Sequence, residues 1–495
     1  MSHPKRSPRS KQSKCGTPAS TYSFHMLPRR QILVLIALFT TALGCFAQGT
    51  SEDHSPPPGS SPATASLHLV STANDGGPAP EAITLRDAIA RAQKIYSQYL
   101  AATTDAKVAR EDLLQARNSM LPYIANREQY LGTQGNGKTP NGRYVTNDGV
   151  HVYRGWGIFH QDFLPGFWSA APYKRAAAAA AVADAKAEIA RRGLVVTVTR
   201  AFYTLISAQR KYASAQDTLA QAQRFVDDTR RLETGGEAAH SDVVKAQLQL
   251  NQQKVALQEA QLAMNNLHLA LTVLVSPAFD ENFTAVDDMD HTPVLPGLQE
   301  AKELAARENQ DVRAALQTLK AAKQDVTIAR AGFFPTLSFE GVYGIEANAF
   351  ALHSRAAAFP QAGVLPNLGY FITGTLDVPV WNWGTTRSKL KQTEYRRRQA
   401  ELDLSQTQRE ALSNLYSYYN EASAAQSEAQ SLREAADLAS ESLRLTTLRY
   451  QAGEATALEI VDAQNALAAA RNAFDDGQAR YWVALATLQT LTGRF

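Results

Sequence analysis

The sequence predicts a mainly α protein with a β-barrel part, in which long antiparallel helices and four strands per chain are completed by oligomerisation. Three observations carry this: the chain is written twice, each copy holds a proline-free run far longer than a globular helix, and two aromatic, partly alternating segments precede each run. Sliding residues 84–124 onto 297–337 gives 11 identities in 41, and 236–275 onto 453–492 gives 11 in 40, at offsets of 213 and 217. Alanine richness alone would not align the Ala116-Arg117…Pro122 and Gly236-Glu237-Ala238 landmarks with Ala329-Arg330…Pro335 and Gly453-Glu454-Ala455.

The 495-residue chain begins with a leader. Gln31–Ala47 is an apolar run preceded by Arg29-Arg30 and ending in small residues, the layout of a secretory signal cleaved after Ala47. Met26 is an alternative start, and Cys45 is a candidate for lipidation. Both cysteines lie in residues 1–47, so cleavage there leaves no thiol for a disulfide, a zinc site or a nucleophile. Residues 48–495 carry 43 basic and 47 acidic side chains, a formal charge of −4, which argues against nucleic acid as a partner. Residues 48–80 are Ser/Pro/Gly-rich and read as a flexible segment.

Repeat 1 covers 81–296 and repeat 2 covers 297–495. In repeat 1, Thr84-Leu85-Arg86-Asp87 resembles a capping box that opens a helix of about 38 residues, stopped by Pro122. Strands follow at Pro122–Leu131 and Val150–Leu164, around a Gly/Asn loop at 132–149. Pro172 to Thr234 is a 63-residue stretch with no proline after its first residue, dense in alanine, and it reads as one very long helix. Gly235-Gly236 end it, and a helix returns through 241–275. Repeat 2 gives helix 299–334, strands Pro335–Ile345 and Gly369–Trp381, long helix 385–452, a turn at Gly453, and helix 456–492.

At ~1.5 Å per residue the long helices reach roughly 95–100 Å, too long to be buried in one globular core, so they need parallel neighbours in a bundle or tube. Four strands cannot close a barrel, and a sheet bearing Trp156, Phe159, Trp381 and Trp383 would leave two bare edges. Three copies give about twelve strands, an even number as bacterial barrels have, with the helices continuing the tube. The other reading is a structural periplasmic helical bundle whose strand segments are surface loops.

The repeat, together with Ala116-Arg117…Leu121-Pro122, Ala329-Arg330…Phe334-Pro335, Leu376-Asp377-Val378-Pro379-Val380-Trp381-Asn382-Trp383-Gly384 and Arg449-Tyr450-Gln451-Ala452-Gly453…Glu459-Ile460-Val461-Asp462-Ala463-Gln464, resembles the TolC-like outer-membrane efflux protein family over residues 81–495. The resemblance implies a homotrimer with a 12-stranded transmembrane β-barrel in the outer membrane and an α-helical barrel in the periplasm. Its partners would be outer-membrane lipid, a periplasmic adaptor protein and an inner-membrane transporter. It places helix–strand junctions at Pro122, Pro335 and Pro379, and adaptor-contacting hairpin tips at Gly235, Gly236 and Gly453. The periplasmic gate falls on Asp242, Tyr450, Glu459 and Asp462. Two of these residues also have a local role: Glu459 completes a capping box with Thr456, and Asp242 sits in a first helical turn where its charge suits the helix dipole. Neither Ala238 nor Ala455 supplies a cation for a salt bridge within a tip. The strand exit Gln161–Trp168 is less regular than its counterpart, and an equatorial belt would be built from 276–297 and 49–80.

Gly132-Thr133-Gln134-Gly135-Asn136-Gly137-Lys138-Thr139 matches the P-loop pattern, but the segment before it is polar and Pro140-Asn141-Gly142 blocks the helix whose N–H groups would hold phosphate, so it reads as a surface loop. The histidines form no i, i+4 ligand pairs, and no nucleophile–base constellation is visible, which gives no catalytic, metal or cofactor site. Paired acids such as Asp287-Asp288 and Asp475-Asp476 read as solvated faces.

Overall fold

A computed structural model describes residues 81–132, 151–163, 170–277, 283–291, 293–347, 351–353 and 366–493, all within the unit that begins at Leu67. The expected leader with Met26 and Cys45, the 48–80 segment, residues 133–139 of the P-loop-like match, and the strand exit from Leu164 to Trp168 lie outside the described residues.

The chain opens with a short strand, β1 (Glu81–Ile83), and helix α1 (Leu85–Ile95), whose capping box forms as the sequence predicts: Asp87 N–H donates to Thr84 Oγ1 and Thr84 N–H to Asp87 Oδ2, each 3.3 Å. The expected 38-residue helix is broken. Tyr96 takes an extended backbone (φ −70°, ψ 111°) before α2 (Ser97–Asn118). Strands β2 (Tyr123–Gly132) and β3 (His151–Phe163) follow, then the long helix α3 (Ala171–Gly235) and its return α4 (His240–Val275). After β4 (Phe283–Ala285), repeat 2 gives α5 (Leu298–Glu308), α6 (Gln310–Ala331), β5 (Thr336–Ala347), β6 (Leu368–Asp377), α7 (Thr385–Gln451) and α8 (Ala457–Thr492).

The break recurs in repeat 2 at Asn309 (φ −70°, ψ 113°), 213 residues on from Tyr96. Asn309 Oδ1 accepts from Val312 N–H at 3.0 Å and restarts the helix, whereas Tyr96 makes no side-chain cap. Packing is the shared cause. Ala88, Ala92, Ala301 and Ala305 are buried at the equator, so α1 and α5 must turn away from the line of α2 and α6 to seat those faces.

Helix α3 packs on α2 and α6 in one half and on α4 and α8 in the other, while α7 packs on α6 and then α8. Each half of the wall is therefore four helices wide, in the order α2–α3–α6–α7 or α4–α3–α8–α7. Sixty-five residues in α3 and 67 in α7 give rods of about 100 Å. The equatorial core joins Leu194, Val198, Phe202 and Tyr203 of α3 to Leu271 and Val275 of α4, and to the parallel β1–β4 pair, in which Glu81 faces Phe283. Thus β4 lies inside the expected belt region, and its partner is the strand at 81–83. Arg192, 5% exposed, donates to the carbonyls of Glu308 (3.0 Å) and Thr490 (2.7 Å), tying the ends of α5 and α8 to α3.

All four expected segments are strands in one antiparallel sheet of order β2–β3–β5–β6, so the reading that made them surface loops falls. The last strand ends at Asp377, not at Trp381. Pro379 has no N–H to give a ladder, and residues 378–382 run irregularly into α7.

Candidate functional site

The sheet has two chemically different faces. Register pairs Leu337 with Leu376, Tyr343 with Tyr370 and Ile345 with Leu368 on one face, which Gly341–Ile372 and Ile124–Phe159 extend. Ile124, Tyr343, Tyr370, Ile372 and Leu376 are 60–82% exposed. The opposite face carries Arg154 paired with Glu346 at 2.8 Å and Gln129 at 3.1 Å, and His160 against Asp162 at 2.9 Å, together with Ser338, Thr373 and Thr375. Apolar side chains facing out on one side and charges on the other suit a wall between lipid and water. Among the described residues, β2 and β6 each have a free edge. Chain direction makes β6 antiparallel to a β2 placed beside it, so copies of the sheet join edge to edge in the pattern the sheet already uses.

The junctions at the helical end of the sheet repeat closely. Met120 and Leu121 N–H donate to Arg117 and Asn118 carbonyls before Pro122, as Phe333 and Phe334 N–H donate to Arg330 and Ala331 before Pro335. The exit through Pro379 ends in Trp383 (φ 55°) and Gly384 (φ 81°), a left-handed turn that aims α7 back along the wall.

At the other end, both hairpin tips close by one mechanism. Gly236 (φ 80°) and Gly453 (φ 76°) take the left-handed conformation, which lets Glu237 N–H reach the Leu232 carbonyl and Glu454 N–H the Arg449 carbonyl, each at 2.8 Å. Gly235 is the last residue of α3. Glu459 completes the predicted capping box with Thr456; hydrogen bonds from the Thr456 backbone and hydroxyl, with Arg449 adding to them, hold its carboxyl below the usual glutamate range. The expectation that no cation serves a tip is corrected here. Arg449 reaches Glu459 at 3.4 Å, and Lys245 reaches Asp242 at 3.3 Å. At the second tip the turn folds the end of α7 over the start of α8, so the cation comes from the preceding helix, whereas at the first Lys245 stands one turn on from Asp242 in α4 itself. Tyr450 packs edge-on to Phe225 (5.7 Å) beside Ala246 and Ile460, and Asp462 is exposed.

Sequence reasoning missed the polar bridge between the two hairpins. Gln249 of α4, 2% exposed, donates to Asn465 Oδ1 of α8 at 2.8 Å, and Gln253 does so at 3.4 Å. The sole signal is a Gln249/Gln253 pair at i, i+4 spacing, common on a helix so rich in Gln. The paired acids also need correction, because Asp475 and Asp287 are not a solvated face: both hold Arg210, with Asp290 and Gln478 (3.0 Å) completing the cluster. Burial pushes the Asp475 carboxyl above the usual aspartate range, against the pull of Arg210. Beside this cluster, α3, α4, α7 and α8 surround an open cavity of about 1030 Å³ with Arg200, Lys211, Glu259, Glu421, Asp476 and Arg480 on its lining. Among the described residues there is no group of three His, Cys, Asp or Glu that could hold a metal ion.

A two-faced sheet with open edges, set on helices of this length, defines the protomer of an outer-membrane channel whose wall is shared between subunits. Residues 302–494 match the Outer membrane efflux protein family. Over those residues the chain is similar to that family. It is 24% identical over 319 residues to the outer membrane protein TolC of Vibrio cholerae, an alignment covering 62% of this chain and 68% of that protein. It is 28% identical over 314 residues to the outer membrane protein OprJ of Pseudomonas aeruginosa, covering 61% of each. The solved structure of VceC from Vibrio cholerae superposes with a TM-score of 0.68 at 21% identity, over 82% of this chain and 96% of that one, which shows a shared fold.

Proposed function

We infer that three copies of this chain form a conduit from the periplasm to the exterior, as the outer-membrane component of a tripartite efflux or type I secretion system. The supporting observation is the sheet: one face with a band of exposed apolar side chains, the other bearing the Arg154–Glu346 and His160–Asp162 pairs, and two complementary edges that no other described strand covers. Three such sheets make a barrel of about twelve strands around water. The helices carry the same wall through the periplasm, where an adaptor protein docks at the tips around Gly235, Gly236 and Gly453. An inner-membrane transporter supplies the free energy. The protein makes and breaks no bond.

The periplasmic entrance lies at the tips, with Asp242, Tyr450, Glu459 and Asp462 at its rim. In a trimer each acid becomes a ring of three. At ~8 Å two such charges repel by roughly 0.5 kcal/mol in water and about 2 kcal/mol at an effective dielectric of 20. Repulsion of that size tunes which ions enter and cannot hold the entrance shut. Closure comes from packing of Phe225, Ala246, Ile460 and Tyr450 and from the Gln249–Asn465 bridge, and opening separates the hairpins. Purified protein in detergent is expected to be a heat-modifiable trimer that forms stepwise conductances in planar bilayers. A lone particle with negligible β signal and no conductance would refute the conduit.

A further inference from the structure

We propose that the start of α7 and the Trp381–Trp383 turn form a binding surface for anionic phospholipid headgroups on the periplasmic leaflet of the membrane that the sheet crosses. The inference rests on the sheet being the membrane wall and goes beyond it in assigning a lipid class. Three independent observations meet at this place.

The first is charge. Thr385–Arg398 holds six basic residues (Arg387, Lys389, Lys391, Arg396, Arg397, Arg398) against one acid, Glu394, in a body whose overall charge is −4. Arg387, Lys389 and Lys391 are exposed, and none makes an ion pair among the described residues. They lie in the first seven residues of α7, within about 10 Å of its start along the helix axis, which is near the thickness of a headgroup layer. Arg387 and Lys391 stand one turn apart on one face and Lys389 points away from them. A helix in a tube wall has one outward face, so either arrangement presents a cation to the leaflet.

The second observation is the apolar turn just above. Val380, Trp381 and Trp383 are 87%, 75% and 89% exposed, and the two indoles meet edge to face at 5.7 Å. Exposed tryptophan beside basic residues at the end of a membrane wall is the pattern of an interfacial anchor. The turn continues the lipid-facing surface of β6, where Leu376 is 62% exposed.

The third is backbone strain. Trp383 holds a left-handed φ of 55°, a conformation its Cβ disfavours. Among the described residues, its side chain has only the Trp381 ring as recompense. A strained, nearly bare tryptophan is paid for by something outside the protomer, and the apolar-to-headgroup boundary fits both its amphipathic ring and the cations below it.

The test uses the full-length trimer in phosphatidylcholine vesicles containing trace spin-labelled phosphatidylglycerol or spin-labelled phosphatidylcholine, and reads the motionally restricted fraction of each. Wild type is expected to favour phosphatidylglycerol by about fivefold or more, an advantage that fades in about 0.5 M salt. The variant Arg387→Gln/Lys389→Gln/Lys391→Gln is expected to treat the two lipids alike while keeping trimer migration and bilayer conductance. The separate Trp381→Ala/Trp383→Ala variant is expected to lower restriction of both lipids together. An unchanged preference in the triple variant, or no preference in wild type, overturns the proposal, as does displacement of the labelled lipid by inorganic phosphate, which would mark a free-anion site. Conductance without lipid preference would sink this proposal and leave the conduit standing.

Discussion

Changing Asn465 to Ala is expected to loosen the entrance more than any charge change at its rim. The substitution removes the acceptor that Gln249 reaches at 2.8 Å and Gln253 at 3.4 Å, and Gln249 is 2% exposed, so its amide N–H loses a partner where water is scarce. An orphaned buried donor costs roughly 1–3 kcal/mol, which over three protomers amounts to about 3–9 kcal/mol against the arrangement with the hairpins together. Since ~1.4 kcal/mol is a factor of ten, even the lower end shifts the balance by more than tenfold. Single-channel recording of the purified trimer is the assay, with open probability as the readout. Asn465→Asp keeps the acceptor oxygens and is expected to stay near wild type. If trimeric Asn465→Ala shows wild-type open probability, the bridge does not hold the hairpins and closure is carried by the apolar cluster alone.

Glu459→Lys and Asp462→Lys are each expected to lower cation selectivity in reversal-potential measurements, and unchanged selectivity in both would remove these acids from the entrance. Gly344→Ala is expected to abolish trimer assembly: its Cβ would stand 2.0 Å from the Gly155 carbonyl oxygen, forcing β3 and β5 apart, whereas Gly374→Ala meets nothing within 4 Å and is expected to assemble normally on heat-modifiability gels. Asp475→Asn tests a pH linkage. A carboxyl whose folded pKa is raised binds more protons folded than unfolded, so its contribution to stability falls as pH rises between the unfolded and folded values. The variant is expected to melt at or above the wild-type temperature at pH 7.5, with any gap closing as the pH drops below the ordinary aspartate range; a lower melting temperature at pH 7.5 would show that Asp475 is a net stabiliser through Arg210.

The sequence carried the periodic and the local. Gly236 and Gly453 announced both tips because only a left-handed residue closes them, and the Thr84–Asp87 and Thr456–Glu459 boxes marked helix starts that the structure keeps. Strand alternation was readable because one face is apolar. The breaks at Tyr96 and Asn309 were hidden because no glycine or proline marks them and tertiary packing imposes them. The strand end at Asp377 was readable from Pro379, but the aromatic run through Trp381 outweighed it. Three-residue strands such as β1 and β4 are too short to show a period. The Gln249–Asn465 and Arg210–Asp475 contacts join residues more than 200 positions apart, a relation that spacing along the chain does not encode.

Because β3 lies beside β5, the two repeats meet in the middle of each sheet and leave unlike rims, β2 and β6, outside. A ring made by matching unlike rims has no spare seam: every subunit is both donor and recipient. A cell expressing a sound allele together with one crippled along β6 is therefore expected to suffer a dominant defect, since one faulty member leaves a gap that two good ones cannot bridge.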